Sequence, residues 1–377
     1  TKRMNKHQKT LLMAVTNDLV TDNRVHKIAL TLTRMGFLVT LAGRKFPSKK
    51  KLPEREYKTR RFSLWFNKGP LFYANYNLRL FFHLLWTRYD VIVANDLDSL
   101  VACYFASKIT RKPIVYDSHE YFTEVPELID RPKVKKIWEK IEKTIVPHLT
   151  DCYTVCQSIA DIYTEKYHIP FKVVRNVPSL ISTKTNIEAI TPPFPINKPV
   201  VIYQGAVNLG RGIEEAILAM HQLENVILVI IGSGDLLEEC KKMVADQQLI
   251  SKVYITGRMP FNELRQLTSL ATIGLSVEKD MGLNYRYALP NKLFDYIQSE
   301  VPVLASSLPE IKRIVEGYTV GRVIANTSPG EIADGIKFMM NNNELYLEWK
   351  KNCHQSKSEL CWEKEQNNIQ FIYERFL

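Results

Sequence analysis

Apolar and polar positions along the chain follow two periods. Residues 10–16, TLLMAVT, form a short apolar run that suits a parallel strand buried on both faces. After the polar loop NDLVTDN, Val25, Ile28, Ala29 and Leu32 fall at i, i+3, i+4 and i+7, which predicts a helix. Gly36 closes it, and residues 37–42 read as the next strand of a right-handed β–α–β unit. Further strands are expected at 90–94, 113–116, 151–155 and 171–174. A second series is expected at 200–204, 226–231, 253–255, 272–277, 302–305 and 322–325. Between the two series, residues 177–199, with the run TPPFPINKP, carry neither period and read as a linker. Strand alternating with helix on both sides predicts an α/β protein of two doubly wound, Rossmann-like domains facing across a cleft. Their expected spans are 1–178 and 179–357.

Residues 278–305, EKDMGLNYRYALPNKLFDYIQSEVPVLA, organise the second half. A helix is expected with Pro290 early in it and Leu293, Phe294 and Ile297 at helical spacing. Val301-Pro302 end it before a short buried strand. The loop ahead of the helix is rich in Gly, Asn and Tyr. A loop feeding a helix start offers unpaired N–H groups and a positive dipole end, which suit a phosphate. Asp295, one turn inside, is within reach of sugar hydroxyls beside that phosphate.

Two stretches interrupt the alternation. Residues 44–61 hold nine Lys or Arg against two Glu, and 62–86 carry nine of the aromatic residues, among them Trp65, Phe72, Tyr73, Phe82 and Trp86. A basic stretch beside an aromatic one reads as a surface resting on anionic lipid headgroups, against a solvated loop followed by a core helix. The formal charge of +11 likewise favours an anionic partner. Six scattered cysteines have no zinc spacing and suit a reducing cytoplasm; Cys152 and Cys156 are read as core thiols on one strand face. The basic N-terminal stretch is read as leading into a first strand rather than as a signal peptide, and no window has the apolar length of a spanning helix. Residues 358–377 read as an amphipathic helix through Trp362, Ile369, Phe371, Ile372 and Phe376.

Seven segments, in order, resemble those of retaining glycosyltransferases of the GT-B architecture, family 4 (glycosyl transferases group 1). They are TDNRVHKIALTLTRMGFLVTLAGR, ANDLDSL, YDSHEYFTE, YQGAVNLGRGIEEAI, IGSGD, ITGRM and PNKLFDYIQSEVPVLAS. The resemblance implies a nucleotide-sugar donor held by the second domain, an acceptor held by the first, and a C-terminal helix packing back on the first. It implies no metal and no other cofactor.

Carried over residue by residue, the carboxylate for the ribose hydroxyls falls on Asp295, where Glu is usual, and the family's other glutamate falls on Tyr287. Glu278, Asn284 and Tyr285 are the polar groups that stand nearby in its place. The usual Gly-Arg pair appears as Gly205-Ala206, which leaves Arg211, Lys292 and the helix start at Asn291 to hold the diphosphate. The same motifs extend the donor set to Gly232 and Arg258. On the acceptor side they give Asp96, His119 and Glu124, with Arg24 at the start of the first helix. His119 and Glu120, just past a strand end, are catalytic candidates beside Arg211 and Lys292.

The expected reaction moves a sugar to an acceptor hydroxyl with retention, the leaving diphosphate helping to deprotonate the acceptor. A glycan or lipid-linked acceptor of bacterial envelope synthesis is expected, at a cytoplasmic or inner-membrane surface, with no nucleic acid. Two alternatives share the architecture: a nucleotide-sugar 2-epimerase, and a non-catalytic basic scaffold that lost the donor site.

Overall fold

The computed structural model describes residues 8–20, 22–46, 52–180 and 190–377. They form two compact units, residues up to Asn176 with Glu365–Leu377, and Val177–Lys364. Of the expected linker, 181–189 lie outside the described residues, as do 47–51 of the basic stretch.

The sheet of unit 1 has strands β1 (Thr10–Ala14), β2 (Leu38–Arg44), β3 (Lys58–Phe62), β4 (Val91–Asn95), β5 (Ile114–Ser118), β6 (Asp151–Thr154) and β7 (Phe171–Val173), in the order β3-β2-β1-β4-β5-β6-β7. Every pairing is parallel; in the centre Leu12 aligns with Thr40 on one side and Ile92 on the other. Its helices are α1 (Asn23–Arg34), α2 (Gly69–Trp86), α3 (Leu97–Thr110), α4 (Pro126–Ile129), α5 (Pro132–Ile145) and α6 (Gln157–Tyr167). Leu11 to Ala14 are fully buried, because a parallel sheet is covered on both faces. The start of α1 is capped by Asp22, whose carboxylate accepts from the Val25 N–H.

The sheet of unit 2 has β8 (Val200–Ala206), β9 (Ile227–Ser233), β10 (Val253–Gly257), β11 (Ile273–Ser276), β12 (Val303–Ser306) and β13 (Gly321–Ile324), ordered β10-β9-β8-β11-β12-β13 and again wholly parallel. Its helices are α7 (Ile213–Ala219), α8 (Leu237–Asp246), α9 (Phe261–Ser269), α10 (Leu283–Arg286), α11 (Asn291–Gln298), α12 (Pro309–Gly317), α13 (Pro329–Asn341) and α14 (Asn343–Ser356). A last helix, α15 (Trp362–Tyr373), begins in unit 2 and from Glu365 onward belongs to unit 1. There Tyr373 packs edge-on against Phe37 and Tyr153, and Glu365 accepts from the Arg175 side chain.

Three expectations are corrected. The basic stretch does not run on as a loop: residues 58–62 pair with β2 as an edge strand whose Lys58, Thr59 and Arg60 face solvent. Cys156 is not on a strand; β6 stops at Thr154 and Cys156 precedes α6, although both it and Cys152 are buried free thiols. Pro290 lies just outside α11, in extended conformation, and the loop before it holds the short helix α10.

Helix α11 is seated on the sheet through Tyr296. A Cβ on Gly274 of β11 would lie 2.4 Å from the Tyr296 ring, so the missing side chain is the space that the ring fills. Gly274→Ala is therefore expected to cost about 1–3 kcal/mol by overpacking. Gly317→Ala, where a Cβ meets nothing within 4 Å, is expected to be neutral or to gain up to about 1 kcal/mol. Urea midpoints of the two variants against the parent protein measure the contrast; equal midpoints would refute it.

Candidate functional sites in the two units

In unit 2 the carboxyl ends of β8, β9 and β11 converge with the start of α11. Gly232 and Gly205 let β9 and β8 approach closely there: a Cβ on Gly232 would fall 1.8 Å from the Gly205 carbonyl oxygen. Lys292, in the first turn of α11, is 7% exposed, and its ammonium lies 2.7 Å from Glu278 Oε1 and 3.8 Å from the centre of the Tyr203 ring. Glu278 follows β11, is 1% exposed and accepts from the Ser276 hydroxyl at 2.9 Å. The two groups form a close, buried ion pair. Burial raises the Glu278 carboxyl, but Lys292 and, behind it, Arg211 and Ser276 outweigh that and hold it below its ordinary value.

Arg211 lies over the Tyr285 ring at 5.1 Å, and its Nε has no partner among the described residues. Tyr285 on α10 donates to the Leu209 carbonyl, which fixes the ring under the guanidinium. Arg211 Nε thus has a donor to spare, and Lys292 stands in the first turn of a helix whose first amides have no intrahelical acceptor. That arrangement suits an anion with several oxygens.

Asp295 points the other way from α11. It accepts from Gln204 Nε2 at 2.9 Å, and the Gln204 carbonyl in turn accepts from the Thr268 hydroxyl at 2.7 Å. Asn291 and Arg258 are exposed and Asn284 is half-buried. The Thr268–Gln204–Asp295 chain escaped the sequence reading, since its members come from β8, α9 and α11.

In unit 1 the polar cluster gathers at the ends of β4 and β5. Asp117 is fully buried and takes a two-pronged contact from Arg24, at 2.7 and 3.2 Å; Arg24, 4% exposed, also donates to the Val174 carbonyl. Arg24 is therefore spent on holding Asp117. His119 Nε2 lies 3.1 Å from Asp117 and Nδ1 lies 3.0 Å from Asp96, whose other oxygen accepts the His119 amide. Asp96 itself has a positive φ of 62°, a strained backbone held by these contacts. Burial lowers the imidazole pKa, but the two carboxylates win and raise it well above the ordinary value. Asp98 is pushed up to about 7 by burial and by Asp96, against the Thr16 hydroxyl, and its Oδ1 has no partner among the described residues. Glu124 is ion-paired with Lys135 at 2.7 Å, and Glu120 is half-buried beside the cluster. Sequence reasoning missed Asp117 and Asp98, because neither stands in a spacing that marks its partner.

Lys292→Met should leave Glu278 as a buried, unpaired carboxylate and cost about 3–5 kcal/mol. Because Glu278 has a lowered pKa when folded, its contribution is present above the unfolded value and lost as pH falls through the folded one. The variant's deficit should accordingly be largest at neutral pH, shrink in acid, and be largely recovered by adding Glu278→Gln; denaturation midpoints across pH check all three. For His119 the sign is reversed. Its raised pKa stabilises the fold fully below the unfolded value, and that stability fades as pH rises through the folded one. Its ring resonances should show no titration near pH 6.5, and Asp96→Asn should bring the transition down; a native ring titrating at its ordinary value would contradict the geometry.

Comparison with known proteins places the chain in a family. The model of glycosyl transferases group 1 matches residues 186–356, and that of Glycosyltransferase Family 4 matches 22–184. An uncharacterized glycosyltransferase of Methanocaldococcus jannaschii is 26% identical over 48% of this chain and 46% of its own length. The alpha-D-kanosaminyltransferase of Streptomyces kanamyceticus is 20% identical over 64% of this chain and 65% of its own. The chain thus spans about half of the first relative and under two thirds of the second. Among solved structures, sucrose-phosphate synthase from Thermosynechococcus elongatus superposes with a TM-score of 0.76 at 16% identity, covering 97% of this chain and 98% of that one. Anabaena HepE in complex with UDP-glucose gives 0.74 at 14%, covering 97% and 99%. Two parallel Rossmann-like sheets and two adjoining family models identify the chain as a member of the GT-B glycosyltransferases of the group 1, family 4 type.

Proposed function

We propose that the protein transfers a sugar from a nucleoside diphosphate to an acceptor hydroxyl with retention at the anomeric carbon, without a metal. The observation that carries this is the pair of cations gathered about Glu278: Lys292, in the first turn of α11, and Arg211, ahead of α7, whose Nε has no partner among the described residues. A leaving diphosphate gains charge as the glycosidic bond breaks, and fixed cations in a partly dry site stabilise that charge without reorganising. The diphosphate, once released, is the base that takes the acceptor proton, so no protein nucleophile is required. Asp295, held by Gln204, takes the ribose hydroxyls. UDP is the first nucleotide to try, since HepE is solved with UDP-glucose.

The acceptor in this reading sits in unit 1, where Asp96 and Asp98 offer carboxylate oxygens to hydroxyls. His119 stands between two carboxylates with both ring nitrogens engaged, so it supplies charge and orientation and is not a base. That argues against a 2-epimerase, which needs a proton abstractor, and the relatives named above are transferases. A bacterial envelope glycan, assembled at the cytoplasmic face of a membrane, is the acceptor class we favour. No helix among the described residues is long and apolar enough to cross a membrane. Trp65 and Trp86, at the two ends of the α2 region, are 77% and 81% exposed, with Lys58, Arg60 and Lys68 also exposed, which suits a peripheral contact with anionic lipid.

UDP at a hundred times its Kd should raise stability by about 2.7 kcal/mol in the parent protein. Arg211→Ala and Asp295→Ala should each reduce that thermal shift, and EDTA should leave it and the transfer rate unchanged. If none of UDP, GDP, ADP, dTDP or CMP shifts the midpoint, the donor site is lost and the scaffold alternative stands. An inverted anomer in the product would sink retention alone.

A further inference from the structure

Unit 1 holds a cation that the reaction described above leaves idle. Arg44 ends β2, and its guanidinium lies over two phenyl rings, 3.9 Å from the centre of Phe46 and 4.3 Å from that of Phe72. An arginine carries five N–H donors in one plane. In Arg44, Nη1 donates to the Asn67 carbonyl at 3.2 Å, and the buried Nε has no partner among the described residues. Arg24 is paired with Asp117 and Arg175 with Glu365, but no carboxylate pairs with Arg44 among the described residues. Burial lowers its pKa, and Tyr73, Asp18 and Asp98 offset that only in part. Ring faces hold the half-buried guanidinium without neutralising it, so its remaining N–H groups suit an anion that offers two oxygens.

The carboxylate cluster stands beside it. The Arg44 amide donates to the Asn17 carbonyl at 2.8 Å, and the hydroxyl of Thr16, one residue back, donates to Asp98. Tyr76 ties the same two strand ends together, its hydroxyl donating to the Val15 carbonyl at 2.6 Å with the Ala42 carbonyl at 3.5 Å. The Tyr73 phenol is affected by both groups: burial and then Asp98 raise it, and Arg44 lowers it. These are the carboxyl ends of β1, β2 and β4, the edge at which a parallel sheet places its ligands. Asp98 is buried with Oδ1 unpartnered among the described residues, and no bond joins it to Arg44. A ligand that meets both must bring a hydroxyl to the carboxyl group and an anionic group to the guanidinium.

We propose that the acceptor is an acidic sugar, whose carboxylate or phosphate is taken by Arg44 while Asp98 takes a hydroxyl of the same molecule. The proposal rests on the acceptor reading of unit 1 given above and names its substrate class, with Arg44 as the residue that sets specificity. A guanidinium fork matches the oxygens of a carboxylate or phosphate two at a time. A neutral sugar leaves the partly desolvated cation without a partner, which is the kind of loss that separates substrates most strongly.

Methyl β-D-glucuronide, glucose 6-phosphate and the neutral methyl β-D-glucoside are the probes, titrated by calorimetry into the full chain with UDP present to occupy the cations of unit 2. One acidic sugar should bind at least about tenfold tighter than the glucoside. A preference for the glucuronide identifies a carboxylate, and a preference for glucose 6-phosphate identifies a phosphate. Arg44→Met should abolish the preference and leave glucoside affinity as it was. Arg44→Lys keeps a charge but not the fork, so it should retain only part of the preference, and it tests the proposal should Arg44→Met not fold. Asp98→Ala should weaken all three sugars. An unaltered UDP thermal shift shows that each variant is folded. Equal binding of acidic and neutral sugars by the parent protein, no saturable binding of either acidic sugar, or a preference that survives both Arg44 variants undiminished would overturn the proposal. So would unchanged affinities in Asp98→Ala. Absence of a UDP shift in the parent protein with the Arg44-dependent preference intact would remove the donor reading and leave this one standing.

Discussion

The polar site of unit 2 depends on the seating of Tyr296 against Gly274. The ring occupies the space where a Cβ would stand, and its hydroxyl sits among the backbone of two strands. The Gln204 amide donates to that hydroxyl at 3.1 Å, and the hydroxyl faces the carbonyls of Ile202 and Leu275, each at 3.2 Å. A buried phenol tied to main chain cannot rotate or slide without leaving polar groups unpaired, which costs far more than the bond gains. The roll of α11 about its axis is thereby set. Lys292, four residues earlier, is turned to Glu278 at the end of β11, while Asp295 is turned toward Gln204. One aromatic contact fixes both the cation and the carboxylate that the proposed chemistry needs.

The two units handle charge in opposite ways. In unit 1 the buried charges satisfy one another: Asp117 takes both Arg24 and His119, and His119 also takes Asp96. What the cluster leaves over, an Asp98 oxygen without a partner among the described residues, suits a hydroxyl rather than an anion. In unit 2 Lys292 and Arg211 share a single buried carboxylate, Glu278, and Arg211 rests on the face of Tyr285. One carboxylate between two cations, one of them buried, leaves net positive charge, which is the condition under which a diphosphate gains from meeting them.

How far the sequence discloses this depends on where each partner comes from. Strands such as Leu11–Ala14 are legible because burial on both faces writes a continuous apolar run, and α1 is legible because one buried face writes Val25, Ile28, Ala29 and Leu32. The edge strand β3 is hidden, because its solvent-facing Lys58 and Arg60 look like a basic loop. Within the sites, Lys292 and Asp295 announce themselves through one helix motif, but their partners Glu278, Gln204 and Thr268 lie on other elements. Arg24 and Asp117 are 93 residues apart, and nothing local in either segment signals the other.

Glu278 shows how position decides between competing roles. By residue type it is one candidate for the carboxylate that is absent at Tyr287. Its place beneath Lys292, almost wholly buried and bound to Ser276, makes it a group that orients the ammonium rather than one that touches a sugar. Tyr285 is likewise occupied, its ring under Arg211 and its hydroxyl on the Leu209 carbonyl. Of the three polar groups named for that place, these two therefore stand beside the cations. On the function proposed above, a donor site organised in this way would lack a direct carboxylate contact to the sugar, and binding would draw more on the diphosphate than on the sugar ring. Such a site should discriminate strongly between nucleoside diphosphate and monophosphate and weakly between hexoses, because fixed charges recognise phosphate oxygens whatever sugar is attached to them.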